Sequence, residues 1–256
     1  MSPVSHTTNV RLVSTVDRAT RILDALAAGG GEAGTSELAR ATGINVATVS
    51  RILATLAVSE YVEQAPSGRY RLGLKLAQLA QRTLARLDVR ALGRATLEGL
   101  AKETGETATL SLVGDHEAVT ADFVPGAASV ISVARIGRPS VLHATAVGKI
   151  VLAFGPRGLD ALPAGDLVPF TPATRVEREA LAADVARARE TGYASAVGER
   201  EQDMTALAAP VLDATGRLAA ILGLQGPTSR IDARRLEELA ELLNAAATRH
   251  GSVMAG

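Results

Sequence analysis

Residues 35–72 read TSELARATGINVATVSRILATLAVSEYVEQAPSGRYRL, and this stretch decides the fold of the N-terminal part. Residues 36–42 place Leu38 and Ala39 on one helical face after a Thr/Ser cap. Gly43 then stands where a helix ends in left-handed backbone, which a residue without Cβ adopts at least cost. Asn45 has the side chain to cap a second helix, whose apolar residues Val49, Ile52, Leu53 and Leu56 recur at helical spacing. Val46, Ala47, Thr48, Ser50 and Arg51 are left at the exposed leading end. Residues 61–64 and 69–72 flank Ala65-Pro66-Ser67-Gly68, a turn composition that predicts a two-stranded wing carrying Arg69 and Arg71. The order of elements predicts a winged helix-turn-helix.

Such a unit suits duplex DNA, because a major groove about 12 Å wide admits one helix whose first residues reach base edges. Arg51, Thr48 and Ser50 are predicted to share one exposed face, with Arg51 on phosphate and the two hydroxyls reading bases. Thr35, Ser36, Asn45, Val46, Ala47, Arg69 and Arg71 are the remaining expected contacts on this unit. A helical hairpin that only packs is the alternative. Net charge is zero, yet residues 1–95 hold 12 Lys/Arg against 7 Asp/Glu and residues 96–256 hold 15 against 20, so the winged helix lies in the basic part. Three Tyr, three Phe and no Trp are too few for the stacking platforms that single-stranded binders use, which favours duplex DNA over RNA.

With 256 residues the chain is long enough for two modest domains. Hydrophobic residues make up 47%, but the apolar runs fall short of a bilayer span, so no membrane partner is expected. The absence of cysteine excludes disulfides, thiolate zinc sites and a cysteine nucleophile. Residues 1–10 lack a basic start followed by an apolar block, so no secretory signal is expected and a cytoplasmic protein is the simplest inference.

The expected organisation is a flexible arm over 1–13, the winged helix over 14–73, a linker helix over 74–88 and an α+β domain over 89–256. Arg11 is placed either as a minor-groove contact or in a tail without contacts, ahead of a first helix at 14–28, which buries Ile22, Leu23 and Leu26. In the linker, Leu76, Leu79, Ala80, Leu84 and Leu87 recur every three or four residues. That stripe packs on its own chain or pairs with a second copy; pairing is favoured, since one winged helix reads only a half-site. Beyond it come a helix to 103, strands at 107–113, 118–124 and 129–135, and helices at 146–154 and 176–191. Strands at 206–212 and 218–225 and a helix at 232–249 follow. One antiparallel sheet flanked by helices fits this order.

The chain resembles the IclR family of bacterial transcriptional regulators from about residue 14 to 249. The N-terminal matches are SELARATGI, SRILATL and GRYRLG; the C-terminal ones are HATAVGK (143–149), FTPATR (170–175), TGYA (191–194), LAAPVLDATG (207–216) and GPTSRI (226–231). The resemblance implies a winged helix joined by a linker helix to a GAF-like effector-binding domain. It also implies a homodimer or homotetramer on operator DNA, with a small-molecule effector, repression as the expected output and no catalysis. Where the family usually starts its reading helix with Pro-Lys-Ser, this chain has Asn45-Val46-Ala47, and a common His is Ser50, so the bases read should differ. Relatives that bind small oxoacids carry polar anchors at positions matching Ala196, Ala206, Gly223 and Gln225. Positions large and apolar in those relatives match Ser129, Ser132 and Ser140. A different ligand follows, with an apolar or aromatic body and one polar, carboxylate-like end.

The helix start at Ala146-Val147-Gly148 offers unpaired N–H groups to that end, with Thr145, Ser132 and Gln225 orienting the rest; Met204 completes the expected lining. Two other outcomes stay open: a ligand-free dimerisation domain, or an enzyme using His143, His116, Glu199, Glu201 or Asp203. His143 lacks a companion at motif spacing and is expected to cap the helix; Glu199 is expected at the pocket rim, and Glu201 and Asp203 as solvated loop charges. Gly29-Gly30-Gly31 lacks the Lys-Ser/Thr of a phosphate loop, and no metal or cofactor is expected.

Overall fold

The computed structural model describes residues 13–29, 31–85, 89–114, 117–126 and 134–253. The chain divides into two compact units, Met1–Arg86 and Leu87–Gly256. In the first, helices α1 (Ser14–Ala28), α2 (Thr35–Thr42) and α3 (Val46–Val58) precede a hairpin of β1 (Val62–Gln64) and β2 (Tyr70–Leu72), then helix α4 (Leu74–Ala85). Ile22, Leu26, Leu38, Val49, Leu53 and Val62 form the core, each worth roughly 1.5–3 kcal/mol on burial. Gly43 has φ +69°, the left-handed stop expected of it. The α2 start differs from expectation. Gly34 is the N-cap and its N–H donates to Glu37 Oε2 at 3.1 Å, so Thr35 and Ser36 lie in the first turn rather than capping it.

The second unit comprises α5 (Val89–Thr104), β3 (Thr107–Val113), β4 (Ala118–Val124), α6 (Ala146–Phe154), a short 3₁₀ turn (Gly158–Ala161) and α7 (Arg178–Thr191). Strands β5 (Ala194–Val197), β6 (Met204–Leu212) and β7 (Leu218–Pro227) and helix α8 (Ala233–Val253) complete it. The five strands form one antiparallel sheet in the order β4-β3-β7-β6-β5. Strand alternation sends Leu207, Ala209 and Val211 to one face, under α5 and α8, and Ala208 and Ile221 to the other, under α6 and α7. With both faces covered, β6 reads as a nearly continuous apolar run.

Three expectations need correction. Of the strand placed at 129–135, residues 129–133 lie outside the described residues, and Ala134 and Arg135 are in no strand. Strand β5 was not expected, since Ala194–Val197 is short and has a β-branched residue only at its end. Helix α7 starts at Arg178 rather than 176.

Candidate functional site

Helices α2 and α3 turn by 112° across the Gly43 break, within the range of DNA-reading helix pairs. Asn45 Oδ1 accepts the Thr48 N–H at 2.8 Å, fixing where α3 begins. Val46, Ala47, Ser50 and Arg51 are exposed there, and Ser36 is exposed at the start of α2, with Thr35 half-buried beside it. The predicted shared face of Thr48 and Ser50 does not exist. At about 100° per residue they fall on opposite flanks of α3, and Thr48 is half-buried in a groove against α1 with Thr15, Arg18 and Arg51. The outward line is Ala47, Ser50 and Arg51. Arg11 lies outside the described residues.

The wing arginines are engaged within the protein. Arg69 forks onto Glu37 at 2.6 and 3.1 Å and donates to Glu32 O at 3.0 Å, tying the wing to α2. The Arg69 hydrogen bond, helped by the Gly34 N–H, holds the Glu37 carboxyl below its ordinary value. Arg71 pairs with Glu63, its cross-strand partner, and lies 3.7 Å from Glu32. Arg40 and Arg51 make no ion pair among the described residues, so in this arrangement they are better placed for phosphate than the wing pair.

In the second unit a cavity opens over the sheet face that carries α6, with about 750 Å³ of empty space including its solvent-open part. Its floor is made of short side chains: Thr109 and Ser111 on β3, Thr120 on β4, Ala206 on β6 and Ala196 on β5, with Gln225 on β7. Thr145, Ala146 and Val147 form a wall at the α6 start, and Ser140, Met204, Arg138, Arg200 and Glu201 line the rest of it. Ser111 Oγ, Gln225 Nε2 and Arg200 Nη1 are buried without a hydrogen-bond partner among the described residues. Unsatisfied buried polar atoms are rare enough in folded proteins to require an explanation.

Two expected lining residues are elsewhere. Gly148 N–H is taken by Thr145 Oγ1 at 3.0 Å, and a Cβ on Gly148 would sit 2.4 Å from Val141 O, so this glycine serves close packing of the helix start. A Cβ on Gly223 would meet Thr109 Oγ1 at 2.5 Å; the glycine leaves room for that threonine. Thr145 caps α6 and donates to Val141 O at 2.8 Å, so its hydroxyl is already engaged within the protein. Ser129 and Ser132 lie outside the described residues.

The whole chain can be set beside known proteins. Residues 15–66 match the family model "IclR helix-turn-helix domain", and residues 81–250 match "Bacterial transcriptional regulator IclR C-terminal". The chain belongs to the IclR family of transcriptional regulators. It is 35% identical over 238 residues to the HTH-type transcriptional regulator XynR of Escherichia coli, covering 92% of this chain and 94% of that one. It is 31% identical to the HTH-type transcriptional regulator KdgR of the same species over 226 residues, 87% and 86% of the two chains. The crystal structure of an IclR transcriptional regulator from Alicyclobacillus acidocaldarius superposes with a TM-score of 0.80 at 28% identity, covering 96% of this chain and 100% of that one. Regulators of this family bind DNA and small-molecule effectors.

Three expectations within this IclR chain change. His143 does not cap α6: its Nε2 donates to Val168 O at 2.9 Å and its ring stacks on Phe170, centroids 5.8 Å apart. Glu199 is not at the cavity rim but pairs with buried Lys149 at 2.7 Å, beside Asp184 at 2.8 Å from the same ammonium. Glu201, expected as a solvated charge, lines the cavity and takes Arg138 at 2.9 Å. Residues missed from sequence are Thr109, Ser111, Thr120, Arg138 and Arg200. The polar alternation Thr107, Thr109, Ser111 on a strand buried on both faces was the available signal for two of them. His116 lies outside the described residues. Among the described residues no helix is long and apolar enough to cross a membrane by itself.

Proposed function

We propose that α3 enters the major groove of operator DNA with Ala47, Ser50 and Arg51 outward, and that a small molecule with an anionic end, held in the cavity of the second unit, changes operator affinity. The observation that carries the first part is the exposed, Asn45-capped leading end of α3 beside the Gly43 turn. What supports the second is the set of buried polar atoms around the cavity that find no hydrogen-bond partner among the described residues. A ligand alters DNA affinity to the extent that it prefers one arrangement of the regulator, typically by about 1–3 kcal/mol, or roughly 5- to 150-fold. The cavity is a binding rather than a catalytic site: His143 is committed to Val168 and Phe170, and Glu199 to Lys149.

Arg51→Ala tests the DNA surface. Loss of one phosphate contact should weaken binding to every duplex and lower the slope of log K against log salt by about one unit. Gel-shift titrations with wild-type affinity and slope would remove Arg51 from the interface.

The working assembly is a homodimer or homotetramer paired through α4. Leu74 is 72% and Leu79 41% exposed, a large apolar display for one short helix. Replacing Leu76 and Leu79 with Glu should yield monomers that bind half-sites only. Light scattering that still reports the wild-type mass would refute the α4 seam.

A further inference from the structure

The wing carries two arginines that a DNA-binding unit could set against phosphate, and the protein neutralises both. The segment leading into α2 runs alongside β2: Ala33 N–H donates to Tyr70 O and Tyr70 N–H to Ala33 O, both at 2.9 Å, while Ser67 Oγ donates to Glu32 Oε2 at 3.2 Å. This bridge sets two carboxylates beside the wing. Glu37 takes both terminal nitrogens of Arg69, at 2.6 and 3.1 Å, and Arg69 also donates to Glu32 O at 3.0 Å. Glu63 takes Arg71 from the opposite strand, with Glu32 a further 3.7 Å away. Three carboxylates thus face two guanidinium groups.

Holding the fold together does not explain the arrangement. These side chains are a third to a half exposed, and solvent-exposed ion pairs contribute little to stability. What they change is the charge presented to DNA. An arginine placed on a phosphate releases counterions and raises affinity for every duplex alike, whatever its sequence. The first helix of a helix-turn-helix pair crosses the DNA backbone while the second enters the groove, so α2 and the wing bonded to its start lie on the side that meets phosphates. Arginine grips a phosphate with two parallel N–H···O bonds, and Glu37 makes that contact to Arg69 from within the protein. The Arg69 hydrogen bond also keeps the Glu37 carboxyl below its ordinary value, so the contact persists through neutral and mildly acidic pH.

We infer that Glu37 is an autoinhibitory contact: it occupies Arg69 in place of a DNA phosphate, withholds the wing from the duplex backbone and leaves binding to the leading end of α3. The inference rests on the DNA surface proposed above. Its effect is to keep affinity for any duplex moderate. An effector that shifts operator affinity by roughly 5- to 150-fold empties the operator only where the unperturbed affinity is within that factor of the protein concentration. A wing locked onto phosphate would move the complex out of that range.

Fluorescence anisotropy with the full chain on mixed-sequence duplex DNA, over a range of salt, tests it. Glu37→Gln keeps an acceptor for the Gly34 N–H that caps α2 and removes only the charge. It should bind roughly three- to tenfold tighter at low salt, with the slope of log K against log salt steeper by about one unit. Glu37→Ala, which leaves no acceptor for Arg69, should gain at least as much. Adding Arg69→Gln to either variant should remove both the gain and the extra slope, because they belong to the released guanidinium. Thermal melts check that every variant is folded. Wild-type affinity and slope in folded Glu37→Gln and Glu37→Ala would overturn the inference. So would a gain that survives Arg69→Gln, which is the general effect of one carboxylate fewer, or a loss of affinity, which would mean that Glu37 aims the wing at DNA. Arg51→Ala reads the α3 surface separately. If it weakens binding while the Glu37 variants match wild type, autoinhibition alone fails; if it binds as wild type, the α3 reading fails whatever the Glu37 variants do.

Discussion

Lys149→Met is expected to destabilise the second unit by about 3–5 kcal/mol, because it removes one partner from a buried ionic cluster and strands the others. Lys149 is 1% exposed, and its ammonium donates to Asp184 at 2.8 Å, Glu199 at 2.7 Å and Ser195 O at 3.1 Å, using all three of its protons. Glu199 is 6% exposed and its Oε2 has no partner among the described residues. Burial pushes its carboxyl above the ordinary value, and the attraction of Lys149 only partly offsets this. A raised folded-state pKa contributes stability that is present below the unfolded pKa and is lost as pH rises through the folded one. Without Lys149 that pKa should rise further, so the deficit of Lys149→Met should be largest near pH 8 and shrink toward pH 5. Adding Glu199→Gln should recover much of it, while Asp184 keeps Arg175 at 3.5 Å. Urea melts followed by circular dichroism decide the matter: a Lys149→Met protein as stable as wild type at pH 8 would show that the cluster contributes nothing.

The DNA-reading unit was the most legible part of the chain, because its signals are local. A left-handed stop at Gly43, a cap at Asn45 and a turn at Pro66-Ser67-Gly68 each fix the backbone within a few residues. Facing directions were harder. Grouping Thr48 with Ser50 ignored the rotation per residue, and Arg69 looked like a phosphate ligand only because Glu37, 32 positions away, was invisible as its partner. The sheet followed from apolar runs and turns, but β5 lacked a β-branched run to announce it. In the cavity, the α6 start was legible but its cap was not: the role expected of His143 falls to Thr145. Ser111 and Gln225 share one floor only through the β3–β7 register, which pairs Ser111 with Ile221 and Thr107 with Gln225, and Arg200 sits in a Gly-Glu-Arg-Glu run whose composition suggests a solvated loop. Such long-range pairings carry no local signature.

Ala47→Glu should separate stability from DNA binding more sharply than any other single change in the first unit. Ala47 is exposed in the first turn of α3, two residues after the Asn45 cap. A carboxylate there interacts favourably with the unpaired N–H groups of the helix start, so the fold should be unchanged or stabilised by about 0.3–1 kcal/mol. The same side chain projects from the end of α3 that is proposed to meet base edges and phosphates. Like charges brought together at an interface cost several kcal/mol, which corresponds to a loss of operator affinity on the order of 100-fold or more. Ala47→Gln has nearly the same size without the charge, and the affinity gap between the two variants should narrow as salt is raised, because added ions screen exposed charges. The measurement is a gel-shift or anisotropy titration at two salt concentrations, paired with thermal melts of each variant. Operator affinity equal to wild type in a folded Ala47→Glu protein would mean that α3 does not enter the groove by its leading end.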